Sequence, residues 1–314
     1  MFLVCGEALY DLFVADGDAP GHLRMDARPG GSPFNVAIGL SRLGAPSALL
    51  TGMSGDMLGA RLASVLDGEG VGTEYLVATG RRTTLSVVGV DGEGVPSYIF
   101  YGDGSADCGL TEADLPALGS DVKGLHFGSY STVVQPVADA FMALAKRHSD
   151  LFLSLDPNVR PTIEPDFAVW RARVDALRPL TGLVKVSDED LGMLYPDDDP
   201  VDIVRGWARD GPALVVLTRG AEGVVGVRGE ETFHATPPGT EVVDTVGAGD
   251  TFMAALLAGV SREADPAGTL RSMPGEAVSA LLARAATAAA ITCSRRGADL
   301  PTAAELDRHM KESA

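Results

Sequence analysis

Residues 241–261 hold the densest group of side chains suited to chemistry. Val242-Val243 leads into Asp244-Thr-Val, then Gly247-Ala248-Gly249, then Asp250-Thr-Phe-Met-Ala-Ala-Leu-Leu-Ala258, a strongly helical run. A glycine turn feeding a helix start gathers unpaired backbone N–H groups and the positive end of the helix dipole at one point. Glycines also let a phosphate approach the backbone closely, so the segment reads as an anion site. Asp250 falls in the first helical turn beside it. An aspartate there can serve simply as a helix cap. Next to a phosphate cradle, however, a carboxylate is electrostatically wasteful unless it takes a proton from an attacking hydroxyl or helps hold a metal.

Competing signatures are missing from the sequence. No Gly-x4-Gly-Lys-Ser/Thr occurs, which disfavours a P-loop nucleotidase. Gly247-x-Gly249 is followed by Phe252 where the dinucleotide fingerprint needs a third glycine, and it lies near the C-terminus instead of opening the fold. Gly52-Met-Ser54-Gly-Asp56 ends in Asp, so the hydrolase elbow is absent too. No His-x3-His or Cys-x2-Cys pair suggests zinc, and the five histidines are scattered.

The elements that must position this chemistry alternate. Short apolar, β-branched runs at 2–7, 48–53, 124–128, 151–156, 182–186 and 213–218 are separated by amphipathic or Ala-rich stretches at 33–43, 57–67, 136–147, 167–178 and 200–209. The pattern predicts an α/β fold, a mostly parallel sheet with helices on both faces. Ligands then bind at the carboxyl ends of the strands. Residues 81–101 break the alternation: Thr84–Val90 and Ser97–Tyr101, joined by Asp91-Gly-Glu-Gly94, read as a hairpin with no intervening helix. Residues 8–28 also look extended or loop-like. Either segment is a decorated edge or a lid over a site.

Composition sets outer limits. At 314 residues and 46% hydrophobic, the chain can fill a substantial core. The N-terminal run Met1–Glu7 lacks a basic region and a cleavage site, so it predicts a buried strand and no signal peptide; nothing reads as a membrane span. Three widely spaced cysteines, Cys5, Cys108 and Cys293, fit buried thiols in a reducing cytoplasm. A formal net charge of −18 argues against nucleic acid or an anionic membrane as partner, and requires local cations wherever an anion binds.

Two motifs together resemble one family. Asp244-Thr-Val-Gly-Ala-Gly-Asp-Thr-Phe252 is similar to the C-terminal signature of the ribokinase (PfkB-type) carbohydrate kinases. Pro29-Gly-Gly-Ser-Pro-Phe-Asn-Val-Ala-Ile-Gly-Leu-Ser-Arg-Leu-Gly44 resembles their N-terminal Gly-Gly…Asn…Leu-Gly signature, with Gly55-Asp56 at the usual place. The motifs stand in the family's order, and the resemblance covers essentially the whole chain. It implies a single ribokinase-like domain over 1–314, with lid segments inserted at about 8–28 and 81–101.

The resemblance also implies roles. Asp250 would be the base that deprotonates the sugar hydroxyl, with the amides of Gly247, Ala248 and Gly249 as the anion hole. Asp11, Gly31, Asn35 and Arg160 would contact the sugar. Lys185, Ser187, Thr218, Gly220 and Gly223 would contact ATP. Asp244, the Val246 carbonyl and residues around Ala290–Gly297 match a monovalent-cation site, usually potassium. The family's Asn-x-x-Glu element appears as Ser187-Asp-Glu-Asp190, with Asp190 one methylene short in the magnesium region and Glu189 as a substitute. Asp156-Pro-Asn-Val-Arg160 resembles fructokinases and 2-keto-3-deoxygluconate kinases. Such relatives often read Phe-Tyr-Arg after the hairpin; here Gly102 replaces that arginine and Asp103 follows, which tilts the expectation toward a neutral sugar, fructose first. The alternatives are a 2-keto-3-deoxygluconate kinase, a ribokinase or nucleoside kinase, and a catalytically silent sugar or nucleotide sensor. Lid hairpins with exposed edges imply a homodimer.

Overall fold

A computed structural model describes residues 1–16, 21–90 and 96–312. The strands are β1 (Phe2–Cys5), β2 (Leu9–Asp16), β3 (Leu23–Gly30), β4 (Ser47–Ser54), β5 (Leu76–Thr79), β6 (Thr84–Val90), β7 (Pro96–Tyr101), β8 (Gly124–Gly128), β9 (Phe152–Asp156), β10 (Leu183–Ser187), β11 (Leu214–Thr218), β12 (Val224–Arg228) and β13 (Glu231–Ala235). Nine of them form one sheet in the order β13-β12-β11-β10-β9-β8-β1-β4-β5. From β11 to β5 every pairing is parallel, and β12 and β13 add an antiparallel edge. The expected α/β architecture is therefore present, with the expected strands each found within a residue or two of the bounds read from the sequence.

Burial on both faces explains why the central strands read as unbroken apolar runs. In β1, Phe2 and Val4 join a core with Phe34, Met253, Leu256 and Leu282, while Leu3 and Cys5 join another with Phe141, Trp170 and Trp207. Helices Ser32–Arg42, Ala248–Val260 and Gly275–Cys293 cover the first face. Helices Val137–Arg147, Phe167–Leu177, Asp188–Leu194 and Pro200–Arg209 cover the second. Gly275–Cys293 is long and apolar enough to cross a membrane, but its apolar side chains are packed into the first core against Ala248–Val260. Cys5 and Cys108 are buried; Cys293, expected to be so, is partly exposed because it ends that helix.

A second sheet, ordered β3-β2-β6-β7, stands apart. It contains both segments that broke the alternation. Residues 8–28 supply an antiparallel pair in which Asp11 faces Arg28 across the ladder, and β6–β7 is the expected hairpin. The Asp91–Gly94 turn lies outside the described residues. The root of this sheet is pinned by Asp107, which is buried and accepts hydrogen bonds from Thr84 Oγ1, Ser105 Oγ (2.8 Å) and Tyr130 Oη (2.6 Å).

Candidate active site

The carboxyl ends of β1, β8, β9, β10 and β11 and the starts of two helices converge, as a parallel sheet requires. Gly247 caps helix Ala248–Val260 in the left-handed region at φ 79°, and Asp250 sits in the first turn. Asp250 is buried. Its Oδ1 accepts from Ser32 Oγ at 2.6 Å and its Oδ2 from Asn35 Nδ2 at 2.8 Å. Both donors lie in the first turn of helix Ser32–Arg42, three residues apart on one face. Burial raises the Asp250 pKa, opposed by those two hydrogen bonds and by the nearby Arg160 and Lys185 charges. The outcome is a carboxylate more basic than usual, fixed in orientation, in the first turn of a helix that starts from a glycine turn.

Gly31 precedes the first of these helices at φ 108°, where a Cβ would lie 2.8 Å from the Glu7 carbonyl oxygen. Asp11 lies over neighbouring Gly30, whose Cβ would fall 2.4 Å from Asp11 Oδ2. Burial raises the Asp11 pKa, opposed by a hydrogen bond with Ser86 and by the Arg160 charge. Arg160 thus acts on both Asp11 and Asp250. It reaches out from the strand end, its Nη1 donating to the Val159 carbonyl at 3.0 Å. These contacts bring Asp11, Gly31, Asn35, Arg160 and Asp250 near one another.

The expected nucleotide residues sit on neighbouring strand ends. Lys185 is buried on β10, and its Nζ donates to Asp156 Oδ2 at 2.9 Å. Burial alone would lower the Lys185 pKa; the charges of Asp156, Asp190 and Asp250 outweigh it and raise it. Thr218 ends β11, and Gly220 and Gly223 flank a short turn at φ 49° and 97°. Ser187 caps helix Asp188–Leu194 reciprocally with Asp190. Asp190 is buried, its oxygens accepting from the amides of Val159 (2.8 Å) and Ser187 (3.3 Å), so it steadies the Arg160 loop. Glu189, the suggested substitute, points to solvent. Asp244 accepts from the amides of Val246 (3.1 Å) and Gly297 (2.8 Å), joining the two loops expected to hold a cation.

Sequence reading missed Ser32, Asp156 and Glu7. Ser32 stood inside the N-terminal motif, and its spacing from Asn35 was the available signal. Glu7 ends up buried under Gly31, with Oε2 unpartnered among the described residues. Burial pushes its pKa up to about 7 from 4.5, aided by Asp107 and opposed by hydrogen bonds with Ser129 and Ser131. An acid raised on folding stabilises fully below its unfolded pKa and loses that contribution as pH rises through the folded one. Glu7→Gln should therefore gain on the parent between pH 4.5 and about 7, by about 3 kcal/mol at pH 8. Urea denaturation of both proteins at pH 5 and pH 8 checks this; an equal difference at the two pH values would contradict it.

The chain is similar to known proteins over most of its length. A family profile described as pfkB family carbohydrate kinase matches residues 2–305. The chain is 38% identical over 264 residues to a fructokinase of Rhizobium leguminosarum bv. trifolii, covering 84% of this chain and 80% of the relative. In fold it is similar to a fructokinase from Xylella fastidiosa solved with bound ATP, at a TM-score of 0.91 and 24% identity over 99% of this chain and 98% of that one. A fructokinase from Vibrio cholerae O395, solved in fructose, ADP and calcium ion bound form, matches at a TM-score of 0.82 and 26% identity over 98% and 97% of the two chains. A double mutant of that enzyme was solved in fructose, ADP and potassium ion bound form.

Proposed function

This chain belongs to the pfkB family of carbohydrate kinases, and on that basis we propose that it transfers the terminal phosphoryl group of ATP to a hydroxymethyl group of fructose. The observation that carries the proposal is Asp250, buried, clamped by Ser32 and Asn35, and set beside the amides of Gly247–Gly249. Asp250 takes the proton from the sugar hydroxyl as that oxygen attacks. The three amides and the helix dipole face the charge on the transferring group. Asp11, Gly31, the remaining polar atoms of Asn35, and Arg160 orient the sugar; Lys185, Thr218, Gly220 and Gly223 meet the phosphates, with Ser187 at the edge.

The charges present support magnesium arriving with ATP. Four buried or half-buried carboxylates, Asp11, Asp156, Asp190 and Asp250, gather around Lys185 and Arg160, so the carboxylates named outnumber the two cations among them. A polyphosphate approaching such a group needs a divalent cation to offset its charge. Asp244 and the Val246 carbonyl would hold potassium, which would brace the turn from below.

Fructose is favoured over an acid sugar by Gly102. A Cβ there would lie 2.0 Å from the Phe100 ring, which packs edge-on against Tyr130 at 5.1 Å, so the position has no room for a carboxylate-binding cation. The small sheet would act as a lid. Its unpaired edges, β3 and β7, expose Leu23, Met25, Ile99 and Tyr101, which fits a homodimer joined through these sheets. Light scattering should then give twice the chain mass.

The test of the activity is ADP release from ATP with magnesium, potassium and a panel of sugars. Turnover should be fastest with fructose. ATP binding with no turnover on any sugar would favour the sensor reading, and a preference for 2-keto-3-deoxygluconate or ribose would overturn the choice of substrate.

A further inference from the structure

We propose that Asp156 is a positioning residue for phosphoryl transfer, acting through the Lys185 ammonium that it holds against the Gly247–Gly249 turn. The inference rests on the reading of that turn as the phosphoryl site. Lys185 Nζ lies 2.9 Å from Asp156 Oδ2, and a Cβ on Gly249 would come within 3.0 Å of the same nitrogen. The ammonium therefore lies directly against the turn at Gly249, where a Cβ would crowd it.

Among the neighbouring carboxylates, Asp156 is the one hydrogen-bonded to it. The ionisable groups acting on Lys185 are Asp156 from β9, Asp190 from helix Asp188–Leu194, Asp250 from helix Ala248–Val260, and His126 from β8. Asp190 gives its oxygens to the amides of Val159 and Ser187, and Asp250 gives its own to Ser32 and Asn35. Burial and the Lys185 charge lower the His126 pKa to about 3, so the ring is neutral. Asp156 is the one carboxylate among the described residues that forms a hydrogen bond with Nζ.

A purely structural pair would be a poor use of this space. Lys185 is 4% exposed and Asp156 0% exposed, and burying both ions costs about what their attraction returns. Asp156 Oδ1 and His126 Nε2 remain buried with no partner among the described residues, so packing is not optimised here. Three adjacent strands thus place polar groups in the sheet beneath the anion-binding turn. The arrangement makes sense if a fixed positive charge is wanted there. Without Asp156, burial would be opposed only by the more distant charges of Asp190 and Asp250, and Lys185 would hold its proton less firmly.

The test is steady-state kinetics across pH for the parent, Lys185→Met, Asp156→Asn and the double variant. Lys185→Met should lower kcat about 100-fold. Asp156→Asn should lower kcat at least about tenfold, leave the KM for the sugar unchanged, and move the alkaline limb of kcat down by about one pH unit or more. Adding Asp156→Asn to Lys185→Met should cost no further activity. An alkaline limb that stays in place, or an extra loss in the double variant equal to that in the parent, overturns the positioning role while leaving the turn's role standing. Full activity in Lys185→Met overturns both. Should Asp156→Asn fail to fold, Asp156→Glu keeps the charge on a longer stem. It should lower kcat with the alkaline limb in place, and parental activity in it would overturn the proposal.

Discussion

Asp250→Asn is expected to lower kcat by about 10²–10⁴-fold while ATP binding, followed by calorimetry, is kept. The two side chains have the same shape, so the sugar and nucleotide surfaces persist. The lost function is proton acceptance. The amide also sets one N–H₂ group where a carboxylate oxygen had accepted from Ser32 or Asn35, at 2.6 and 2.8 Å, so one donor must rotate away. A fall in kcat with near-constant KM is the signature of an interaction made in the transition state. Because burial raises the Asp250 pKa, the acid limb of kcat/KM in the parent should lie above the ordinary aspartate value of 3.8. If the variant keeps activity within tenfold of the parent, another group is the base.

Gly247→Ala should be nearly as damaging, for a different reason. The residue is left-handed at φ 79°, a conformation that costs a side-chain-bearing residue about 1–2 kcal/mol. Its new Cβ would also fall 2.6 Å from Ala298 Cβ and 2.9 Å from Ala298 Cα. Backbone cannot yield as a side-chain tip can, so the turn must move and its amides lose their aim. Misplacing one such donor lowers kcat by about 10²–10³-fold. Chemical denaturation should also show a stability loss of about 1–3 kcal/mol. At Gly249 a Cβ would meet the Lys185 ammonium at 3.0 Å and no backbone atom, so Gly249→Ala should cost less stability than Gly247→Ala. The reverse order would mean that the turn is not held where the structure has it.

Most of the main sheet was legible in the sequence because parallel strands buried on both faces leave continuous apolar runs, as in Leu214–Thr218. β5 was not: Leu76–Thr79 is four residues long and half-exposed, too short to separate from a loop. β12 and β13 were hidden by their position directly after a glycine turn that reads as a nucleotide loop, and β13 lies at the exposed edge. The candidate site divides in the same way. Asp250, Asn35 and the glycines belong to motifs with fixed spacing. Glu7 and Asp107 are isolated acids whose meaning depends on burial, and burial of a lone polar residue leaves no periodic trace along the chain; Asp156 opens a recognisable run, but its ion pair with Lys185 depends on strands that only the fold brings together. Ser32 lies between these cases, beside Asn35 in a motif but indistinguishable there from a helix-starting serine.

The pairing of Asp250 with Ser32 and Asn35 joins residues 218 and 215 positions apart. During synthesis the donor helix emerges long before the helix that carries the carboxylate. A growing chain can therefore assemble β1, β4 and the helix between them yet hold only the donors of the proposed proton-transfer group. The missing acceptor arrives with roughly the last fifth of the sequence, and closing so long a loop is among the slower steps in folding. An unfinished or C-terminally truncated chain would have no means of spending ATP. A two-fragment version cut between the halves should therefore regain turnover only as the fragments associate.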